Sequence, residues 1–394
     1  MRDKVIVIGS KAGGLGVIRS FSDKPVDIIA LRFSKDSYAH VSKYIKKRFT
    51  IPHPAKNEKE FINFLLDKAP EWKGSILFDT EDDVAVALSK NKEKLSQYYK
   101  IITADWDMMN TFLEKKNAWE LCKKAGVPHP KNCLTVSAED FDGVKKEIQL
   151  PVIFKPVRGY EFSEKFKCKN FEINTLEEYD RYAELCLKEQ QEVMVQEIVP
   201  GPDTNIFKCM TYINSKNEMT GLFFYNKIRQ NPPRFGVHRV SISAGQNPEV
   251  ERLFKNILNH SNYKGFCTVE FKKDPRDGLL KFIEVNVRMP RMISISTAAG
   301  YNFPWIIYND LVKDQQLSVN GYNENLYWIE INSDIYNTLF KRSEEDFTLK
   351  DYIRPYLSKH KTFSIFKLID LKPFFLHAAI FLRRTITSRS NPAE

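Results

Sequence analysis

The sequence predicts a multidomain protein in which an α/β unit is followed by an α+β unit. The length of 394 residues exceeds that of one typical domain and suits two or three. The first hundred residues alternate short apolar runs with stretches of helical spacing, which is typical of buried parallel strands covered by helices. Beyond residue 130, strand-like runs follow one another with few helices between them, which favours antiparallel pairing.

The N-terminal unit is predicted to be a small, doubly wound, Rossmann-like α/β domain over residues 1–105. Its strands are predicted at 4–9, 26–31 and 75–80, and its helices at 14–22, 57–69 and 82–98. Its first turn, "GSKAGGLG", lacks a G-x-G-x-x-G in register, and the second strand ends in "ALRF" without an acid for a ribose, so NAD binding is not expected. Two interpretations remain: a tight strand-to-helix turn, or backbone amides that hold an anionic group of a substrate.

A second domain is predicted over residues 106–315, followed by a C-terminal segment over 316–394. A helix at 107–125 ends at "AGVPHP", where Gly126 and the prolines stop it. Strands are predicted at 152–157, 193–199, 207–214, 220–229, 265–273 and 279–287, with helices at 176–190 and 247–260.

Composition excludes several classes of protein. Hydrophobic residues at 42% and charged residues at 28% are ordinary globular values, and six cysteines without a C-x-x-C pair argue against a zinc site or a disulfide framework. The apolar run after the N-terminus is too short for a signal peptide, and no run approaches the length of a membrane span. A cytoplasmic location is therefore expected.

The formal charge of +10 is spread through the chain with acids between the basic residues. This distribution does not favour nucleic-acid binding, whereas phosphorylated small substrates would suit a mildly basic protein. The tail "DLKPFFLHAAIFLRRTITSRS" combines an apolar block with three arginines. It is predicted either to contact a membrane peripherally or to pack back on the body of the protein.

Oxygen-bearing side chains cluster in "KFIEVNVRMP", residues 281–290. Strand side chains alternate with period two, so Glu284, Asn286 and Arg288 are expected on one face. The turn-forming "KKDPRDG" joins this stretch to a predicted strand that contains Glu270. A hairpin would bring two carboxylates and an amide oxygen together, a ligand set that suits Mg²⁺. The alternative is an exposed acidic hairpin face, which the apolar alternation disfavours.

Two lysines are candidate ligand contacts if such a metal site is present. Lys155 lies in the apolar strand-like run "VIFKP", and Lys115 lies in "FLEKKNAW". Either one alone would be an ordinary solvated lysine. Because protein-bound Mg²⁺ shares its coordination with substrate phosphates, both become candidate phosphate contacts.

The series Lys115, Lys155, "VQEIVPGPD" (195–203), Glu270 and "IEVNVR" (283–288) resembles the ATP-grasp superfamily. Further stretches, "SKYIKKRFTIP", "RQNPPRFG", "STAAGYNFPWIIYNDL" and "DLKPF", resemble its carboxylate–amine ligase branch, which includes D-aspartate ligases. The resemblance covers nearly the whole chain. It implies an ATP-grasp fold preceded by the N-terminal α/β domain.

The resemblance also implies roles for individual residues. Lys115 and Lys155 match the lysines that contact the nucleotide phosphates, while Glu197 and Val199 match the hinge that recognises adenine and Asp203 matches a ribose-binding acid. Glu270, Glu284 and Asn286 match the ligands of Mg²⁺, with Mn²⁺ as an alternative ion. Arg288 matches the arginine that stabilises the transferred phosphoryl group.

The implied function is an ATP- and Mg²⁺-dependent ligase that joins a small-molecule carboxylate to an amine through an acyl-phosphate. A cell-wall or surface-polysaccharide precursor is one candidate acceptor. The alternative from another class is an ATP-binding regulatory or membrane-surface scaffold protein without turnover.

Two segments depart from the superfamily pattern or add to it. The loop "VRGYEFSEKFKCK" (157–169) has only Gly159 where many members have a Gly-rich lid, so a lid role for Ser163, Lys165 and Lys167 and an exposed loop both remain open. The stretch 225–240 carries five cationic or imidazole side chains. Of these, Arg229 and Arg239 are predicted to contact the acidic substrate or the acyl-phosphate, and His238 is predicted to be a loop histidine.

Overall fold

The computed structural model describes residues 2–157, 162, 165–168, 170–232, 236–341, 345 and 347–390, without the side chains of Lys115 and of residues 386–390. Its strands form three sheets: one parallel sheet of five strands, one antiparallel sheet of four strands and one mixed sheet of seven strands. The predicted combination of α/β and α+β architecture is confirmed.

The parallel sheet has the order β3-β2-β1-β4-β5. Its strands are β1 (Asp3–Ile8), β2 (Val26–Arg32), β3 (Ile45–Thr50), β4 (Ile76–Asp79) and β5 (Lys100–Ile101), and its helices are α1 (Ala12–Ser20), α2 (Glu58–Trp72), α3 (Asp82–Lys90) and α4 (Lys92–Leu95). The central strands β1 and β4 are apolar because helices cover both sheet faces. The sequence analysis missed β3 and β5, since β3 is a largely polar edge strand and β5 has only two residues.

The glycines of the first turn are explained by close packing. A Cβ atom on Gly14 would lie 2.0 Å from the carbonyl oxygen of Gly9, and a Cβ on Gly16 would lie 2.6 Å from the side chain of Ile293. Both distances are far below normal contact, so α1 approaches β1 and residue 293 only because these positions lack side chains. This packing favours the interpretation of a tight strand-to-helix turn.

A buried acid ends β4, and it predicts a pH-dependent stability. Asp79 is fully buried, and burial raises its pKa from 3.8 to about 7. Between these values the folded protein retains a proton that the unfolded chain has released, so this group makes the protein less stable as pH rises through that range. We expect Asp79→Asn to be more stable than the wild type by about 1–3 kcal/mol at pH 8.

At pH 4.5 the two proteins should have nearly the same free energy of unfolding, because Asp79 is then protonated in the folded state. Urea denaturation at both pH values measures this difference. A gain that is the same at pH 4.5 and pH 8 would contradict the assignment.

The second sheet lies beyond two short helices, α5 (Trp106–Leu113) and α6 (Lys115–Lys124), where a single helix had been predicted. Its order is β6-β9-β7-β8, with strands β6 (Asn132–Thr135), β7 (Val152–Pro156), β8 (Phe171–Ile173) and β9 (Val193–Glu197). The helices α7 (Ala138–Glu147) and α8 (Leu176–Lys188) accompany it. A capping box formed by Ser137 and Asp140 begins α7 and satisfies backbone amides at its first turn.

The large sheet has the order β14-β13-β10-β11-β12-β15-β16. Its strands are β10 (Ile206–Ile213), β11 (Met219–Asn231), β12 (Val237–Ser243), β13 (Gly265–Lys273), β14 (Leu280–Asn286), β15 (Tyr327–Ile329) and β16 (Lys361–Phe363). Helix α9 (Pro248–Ser261) follows β12, and it begins where the Asn247 side chain accepts hydrogen bonds from the amides of Glu249 and Val250.

The chain after β14 forms α10 (Ile293–Ala298), α11 (Phe303–Lys313), α12 (Ile331–Phe340), α13 (Leu349–Leu357) and α14 (Lys372–Ser390). The tail helix α14 packs against the body: the His377 ring lies 4.5 Å from the Tyr38 ring, and the Phe381 ring lies 5.6 Å from the Tyr336 ring. Among the described residues, none of the helices has the length and apolar character that crossing a membrane requires.

Candidate active site

A cavity of about 310 Å³ lies between the four-stranded sheet and the seven-stranded sheet. The small sheet contributes Lys155 and Gln196, and the connection that follows β9 contributes Val199. The large sheet contributes Lys208, Lys227, Glu270, Glu284 and Asn286. The volume is in the range of pockets that hold small molecules, and the lining combines apolar walls with a few converging charged groups.

The predicted hairpin brings the two candidate acids together. Strands β13 and β14 pair antiparallel, and Glu270 lies directly opposite Glu284. The register shifts beside Glu270, so that β14 carries one extra residue, Ile283, between Phe282 and Glu284. This bulge turns Phe282 and Val285 into the core and leaves Ile283 and Glu284 at the cavity, which differs from the simple alternation expected from the sequence.

Hydrogen bonds link the polar side chains of β14 and of the residues after it. The Asn286 Nδ2 donates to Glu284 Oε1 at 2.8 Å, and Arg288 Nη2 donates to Asn286 Oδ1 at 3.5 Å. Arg288 Nε also donates to Asp82 Oδ1 at 2.7 Å. Because Asp82 begins α3, this contact joins the parallel sheet domain to the edge of the cavity.

Two buried lysines balance the charge of Glu270. The Lys208 ammonium forms an ion pair with Glu270 and lies 4.0 Å from Glu284, while Lys227 Nζ lies 3.7 Å from Glu270. Burial alone would raise the pKa of Glu270, but these two ammonium groups lower it to about 2. Glu270 is therefore an ionised carboxylate at neutral pH, although it is buried.

The donor set fits a hard divalent ion. Within the described part of the chain, no group of three or more His, Cys, Asp or Glu side chains is arranged to hold a metal. What the cavity offers is two carboxylates and one amide oxygen, from Glu270, Glu284 and Asn286. Such a partial set suits Mg²⁺, which completes its coordination with water and substrate phosphates.

Lys155 faces the same cavity from β7. Its Nζ donates to Gln196 Oε1 at 2.9 Å, and burial lowers its pKa although Glu284 and Glu270 oppose that shift. An ammonium that is partly desolvated and held by a neutral amide is available to a negatively charged ligand. Lys115 begins α6, and its side chain lies outside the described residues.

The two residues matched to the adenine hinge and the acid matched to ribose binding take different positions. Glu197 ends β9 and accepts a hydrogen bond from Arg276 at 2.6 Å, and its own amide donates to the carbonyl of Lys131. The backbone amide of Val199 has no hydrogen-bond partner among the described residues, and Val199 lines the cavity. Asp203 Oδ1 accepts a hydrogen bond from Gln230 at 2.6 Å, and burial raises its pKa.

Arg229 and Arg239 do not line the cavity. Both side chains are almost completely buried and share Asp334: Arg229 binds both of its oxygens at 2.9 Å, and Arg239 Nε lies 2.9 Å from Asp334 Oδ1. Arg239 also donates to both oxygens of Glu345. The structure therefore places these two arginines in an ion-pair network behind the sheet and does not bring them together with the other predicted site residues.

The prediction of a loop histidine at position 238 is wrong. His238 lies in β12, is buried and lines the cavity, and its Nδ1 lies 2.6 Å from Ser241 Oγ. Burial and the nearby cations Lys208 and Lys227 hold its pKa well below the ordinary value, so the ring is neutral.

Parts of the loop 157–169 and of the stretch 225–240 lie outside the described residues. This applies to Ser163, to most of the predicted lid around it and to Arg234 in the 225–240 stretch. Within the described part, Lys165 forms an ion pair with Glu189 at the end of α8.

Several cavity residues were missed by the sequence analysis, chiefly Lys208, Gln196 and Arg291. Lys208 had a recognisable signal, because it is a lysine inside the apolar run "IFKCMTYI", the same pattern that singled out Lys155. Gln196 and Arg291 gave no such signal, since a polar residue at a strand end or in a loop is common.

Comparison with known proteins identifies the class. Residues 241–306 match the family model described as carbamoyl-phosphate synthase L chain, ATP binding domain, a range that includes Glu270, Glu284, Asn286 and Arg288. The fold is similar to that of N5-carboxyaminoimidazole synthetase from Staphylococcus aureus complexed with ADP, with a TM-score of 0.66 and 15% identity over 87% of this chain and 86% of that one. The chain has an ATP-grasp fold.

Two further matches are to amino-acid ligases. D-aspartate ligase of Enterococcus faecium (strain Aus0004) is 26% identical over 338 residues, which cover 81% of this chain and 79% of that protein. L-amino acid ligase from Bacillus licheniformis has a similar fold, with a TM-score of 0.60 and 13% identity over 79% of this chain and 75% of that one. Homologues of the chain are therefore ATP-grasp ligases that form C–N bonds.

Proposed function

We propose that the protein is an ATP- and Mg²⁺-dependent ligase that activates a carboxylate as an acyl-phosphate and transfers the acyl group to an amine. The observation that carries this proposal is the convergence of Glu270, Glu284 and Asn286 with lysines from both sheets in one cavity. This set of charges suits a nucleoside triphosphate with its metal.

Glu270, Glu284 and Asn286 would hold Mg²⁺. When bound, the ion supplies charge neutralisation on the phosphates of ATP and makes the terminal phosphoryl group a better acceptor. Glu270 meets the requirement for a ligand that stays ionised, because the lysines beside it keep its pKa at about 2. The hydrogen bond from Asn286 to Glu284 fixes which amide atom, Oδ1, is left to serve as a ligand.

The lysines would bind the phosphates, and the hinge would bind the adenosine. Lys155 and Lys208 come from opposite sheets and face the same space, so that ATP between them would be held from both sides. The amide of Val199, unpaired among the described residues, is available to an adenine nitrogen. Asp203 would bind the ribose hydroxyls; it does not line the cavity, but it accepts a hydrogen bond from Gln230, which does. Lys115 and Glu197 remain part of the proposed nucleotide site on the strength of their position in the motif series.

Arg288 would stabilise the phosphoryl group as it moves from ATP to the substrate carboxylate. The bond between the β–γ bridging oxygen and the γ-phosphorus breaks, a carboxylate oxygen takes the phosphoryl group, and ADP leaves with the electron pair. The amine then attacks the acyl carbon, phosphate departs, and the amine proton passes to solvent. Asp82 orients the Arg288 guanidinium. Neither step of the reaction requires a nucleophilic side chain of the protein.

The proposed carboxylate substrate is an acidic amino acid of the aspartate type, and the proposed acceptor is an amine of a cell-wall or surface-polysaccharide precursor. The relation to a D-aspartate ligase supports this choice. The cationic lining contributed by Lys227, Arg291 and the lysines of the phosphate site also favours a substrate with more than one carboxylate.

The test is an ADP-release assay with Mg²⁺ and ATP over D- and L-amino acids paired with amine acceptors, with product detection by mass. We expect release that requires both substrates and falls by about 100-fold or more in Lys155→Met, since several kcal/mol of phosphate stabilisation would be lost. The exposed Lys131→Met is a matched control and should keep its rate. Nucleotide binding without ADP release from any pair would instead support the regulatory or scaffold alternative.

A further inference from the structure

The C-terminal part of the chain exposes more large apolar side chains than the rest. Among the described residues, the large hydrophobic side chains that are more than 60% exposed all lie between Leu339 and Leu382. The most exposed are Leu357 at 76%, Leu368 at 76% and Leu339 at 68%, and Phe375 follows at 64%. Single exposed apolar residues are normal on a protein surface. A concentration of them in one segment is typical of a surface that contacts a protein, a membrane or a ligand.

Helix α13 carries an apolar stripe that the described residues leave exposed. Leu349, Ile353 and Leu357 are spaced four residues apart, which places them on one face, and all three are exposed. A capping box between Thr348 and Asp351 fixes the start of this helix. The stripe is therefore part of a formed helix.

A series of ring contacts leads from β16 to the start of α14. Tyr356 packs in the same cluster as Phe363, and the rings of Phe363, Phe366, Phe374 and Phe375 follow one another at 5.6, 5.2 and 5.8 Å. The exposed loop residues Leu368 and Ile369 lie between them in the chain. We call these exposed side chains the C-terminal apolar surface: Leu349, Ile353, Leu357, Leu368, Ile369 and Phe375.

The segment that carries this surface is rich in basic residues. Residues 347–390 contain nine Lys and Arg but only two acids, Asp351 and Asp370. Asp370 is buried against Arg19 and Ser42, and Asp351 is engaged in the capping box. Lys350, Arg354, Lys359 and Lys372 are exposed in the same segment as the apolar side chains.

We propose that the C-terminal apolar surface docks the protein on an anionic phospholipid membrane. Shallow insertion of leucine and phenylalanine side chains with lysines and arginines at the headgroups is the mode used by amphipathic interfacial helices. Basic residues near an anionic surface add electrostatic attraction to this insertion. The surface is broader than the tail alone, whose helix has its own inner face against the body.

A second copy of the chain is a weaker occupant for this surface. Self-association would bring two basic rims together, because each copy supplies the same excess of lysine and arginine. An anionic membrane complements both the apolar side chains and the charge. The proposal is independent of the ligase activity, since none of these residues lines the cavity.

Co-sedimentation of the full-length protein with vesicles tests the proposal. We expect binding to phosphatidylcholine vesicles that contain phosphatidylglycerol, little binding to pure phosphatidylcholine, and weakening as salt rises. The double variant Leu357→Asp/Leu368→Asp should bind at least 10-fold more weakly. The matched control is Leu176→Asp, which places the same change at an exposed position of α8 and should bind like the wild type.

Thermal unfolding of all three proteins checks that the variants fold. Equal partitioning of the double variant and the wild type onto the anionic vesicles would overturn the proposal. So would sedimentation velocity that shows a wild-type dimer, a monomeric double variant and no vesicle binding by either, since the surface would then be an interface between copies.

Discussion

Replacing Glu270 with glutamine should lower the rate of Mg²⁺-dependent ADP formation by about 1000-fold or more. The change keeps the size of the side chain but removes a metal ligand whose charge-stabilising effect is worth several kcal/mol. It also removes the carboxylate that forms an ion pair with Lys208 and lies 3.7 Å from Lys227. Steady-state kinetics at saturating substrate measures the loss.

The effect of Glu270→Gln on ATP affinity separates a metal ligand from a structural acid. Without Mg²⁺, the two freed ammonium groups should bind ATP at least as tightly as the wild type does, because no carboxylate competes with the phosphates. With Mg²⁺, the wild type should gain affinity and the variant should not. Calorimetry with EDTA and then with Mg²⁺ gives both values.

Glu251→Gln is the control for this experiment, because Glu251 also accepts from a lysine but lies on α9 away from the cavity. Its kinetics and its Mg²⁺ response should match those of the wild type. If Glu270→Gln and the wild type gain the same ATP affinity from Mg²⁺, Glu270 is not a metal ligand.

The sequence predicted most of the central strands because their burial pattern is continuous or alternating over five or more residues. The strands β1, β2, β10, β13 and β14 are of this kind. Most of the elements that were missed are short or polar. The exception is β12, a largely buried strand of seven residues whose sequence, VHRVSIS, mixes polar and charged side chains with apolar ones. The edge strand β3 has mostly exposed side chains, and the strands β15 and β16 have three residues each, so their pairing depends on the rest of the large sheet.

The candidate site was predicted where local spacing determines proximity. Glu284 and Asn286 are two residues apart, and a short turn brings Glu270 opposite them, so sequence alone could indicate that these side chains meet. Lys208 meets Glu270 through the pairing of β10 with β13, about 60 residues apart in the chain, and no local pattern encodes that contact. The strand bulge beside Glu270 was likewise invisible in the alternation.

The placement of Arg229 and Arg239 shows a different limit. Both lie close in the sequence to residues of the cavity. Arg239 directly follows His238, so its side chain points to the other face of β12, and a shift in the register of β11 separates Arg229 from Lys227. Their partner Asp334 is about 100 residues away in α12. A cluster of cations in the sequence could not reveal that a distant acid neutralises two of them.

Replacing Asp334 with alanine should destabilise the protein by about 3–5 kcal/mol. Asp334 is fully buried, binds Arg229 through both oxygens, accepts from Tyr356 at 2.8 Å and lies 2.9 Å from Arg239 Nε. Its removal would leave two guanidinium groups buried without their shared counter-charge, and an uncompensated buried charge is far more costly than a lost surface contact. Chemical denaturation measures the loss.

The matched control is Asp180→Ala, which breaks the solvent-exposed pair with Lys145 and should cost less than about 1 kcal/mol. Arg229→Ala separates the structural role from the predicted contact with substrate. If the arginine serves the fold, its loss lowers the free energy of unfolding, while KM for the carboxylate stays near the wild-type value under conditions where the variant is folded. A variant with unchanged stability and a raised KM would instead assign Arg229 to the substrate, and Asp334 would then be the residue that positions it.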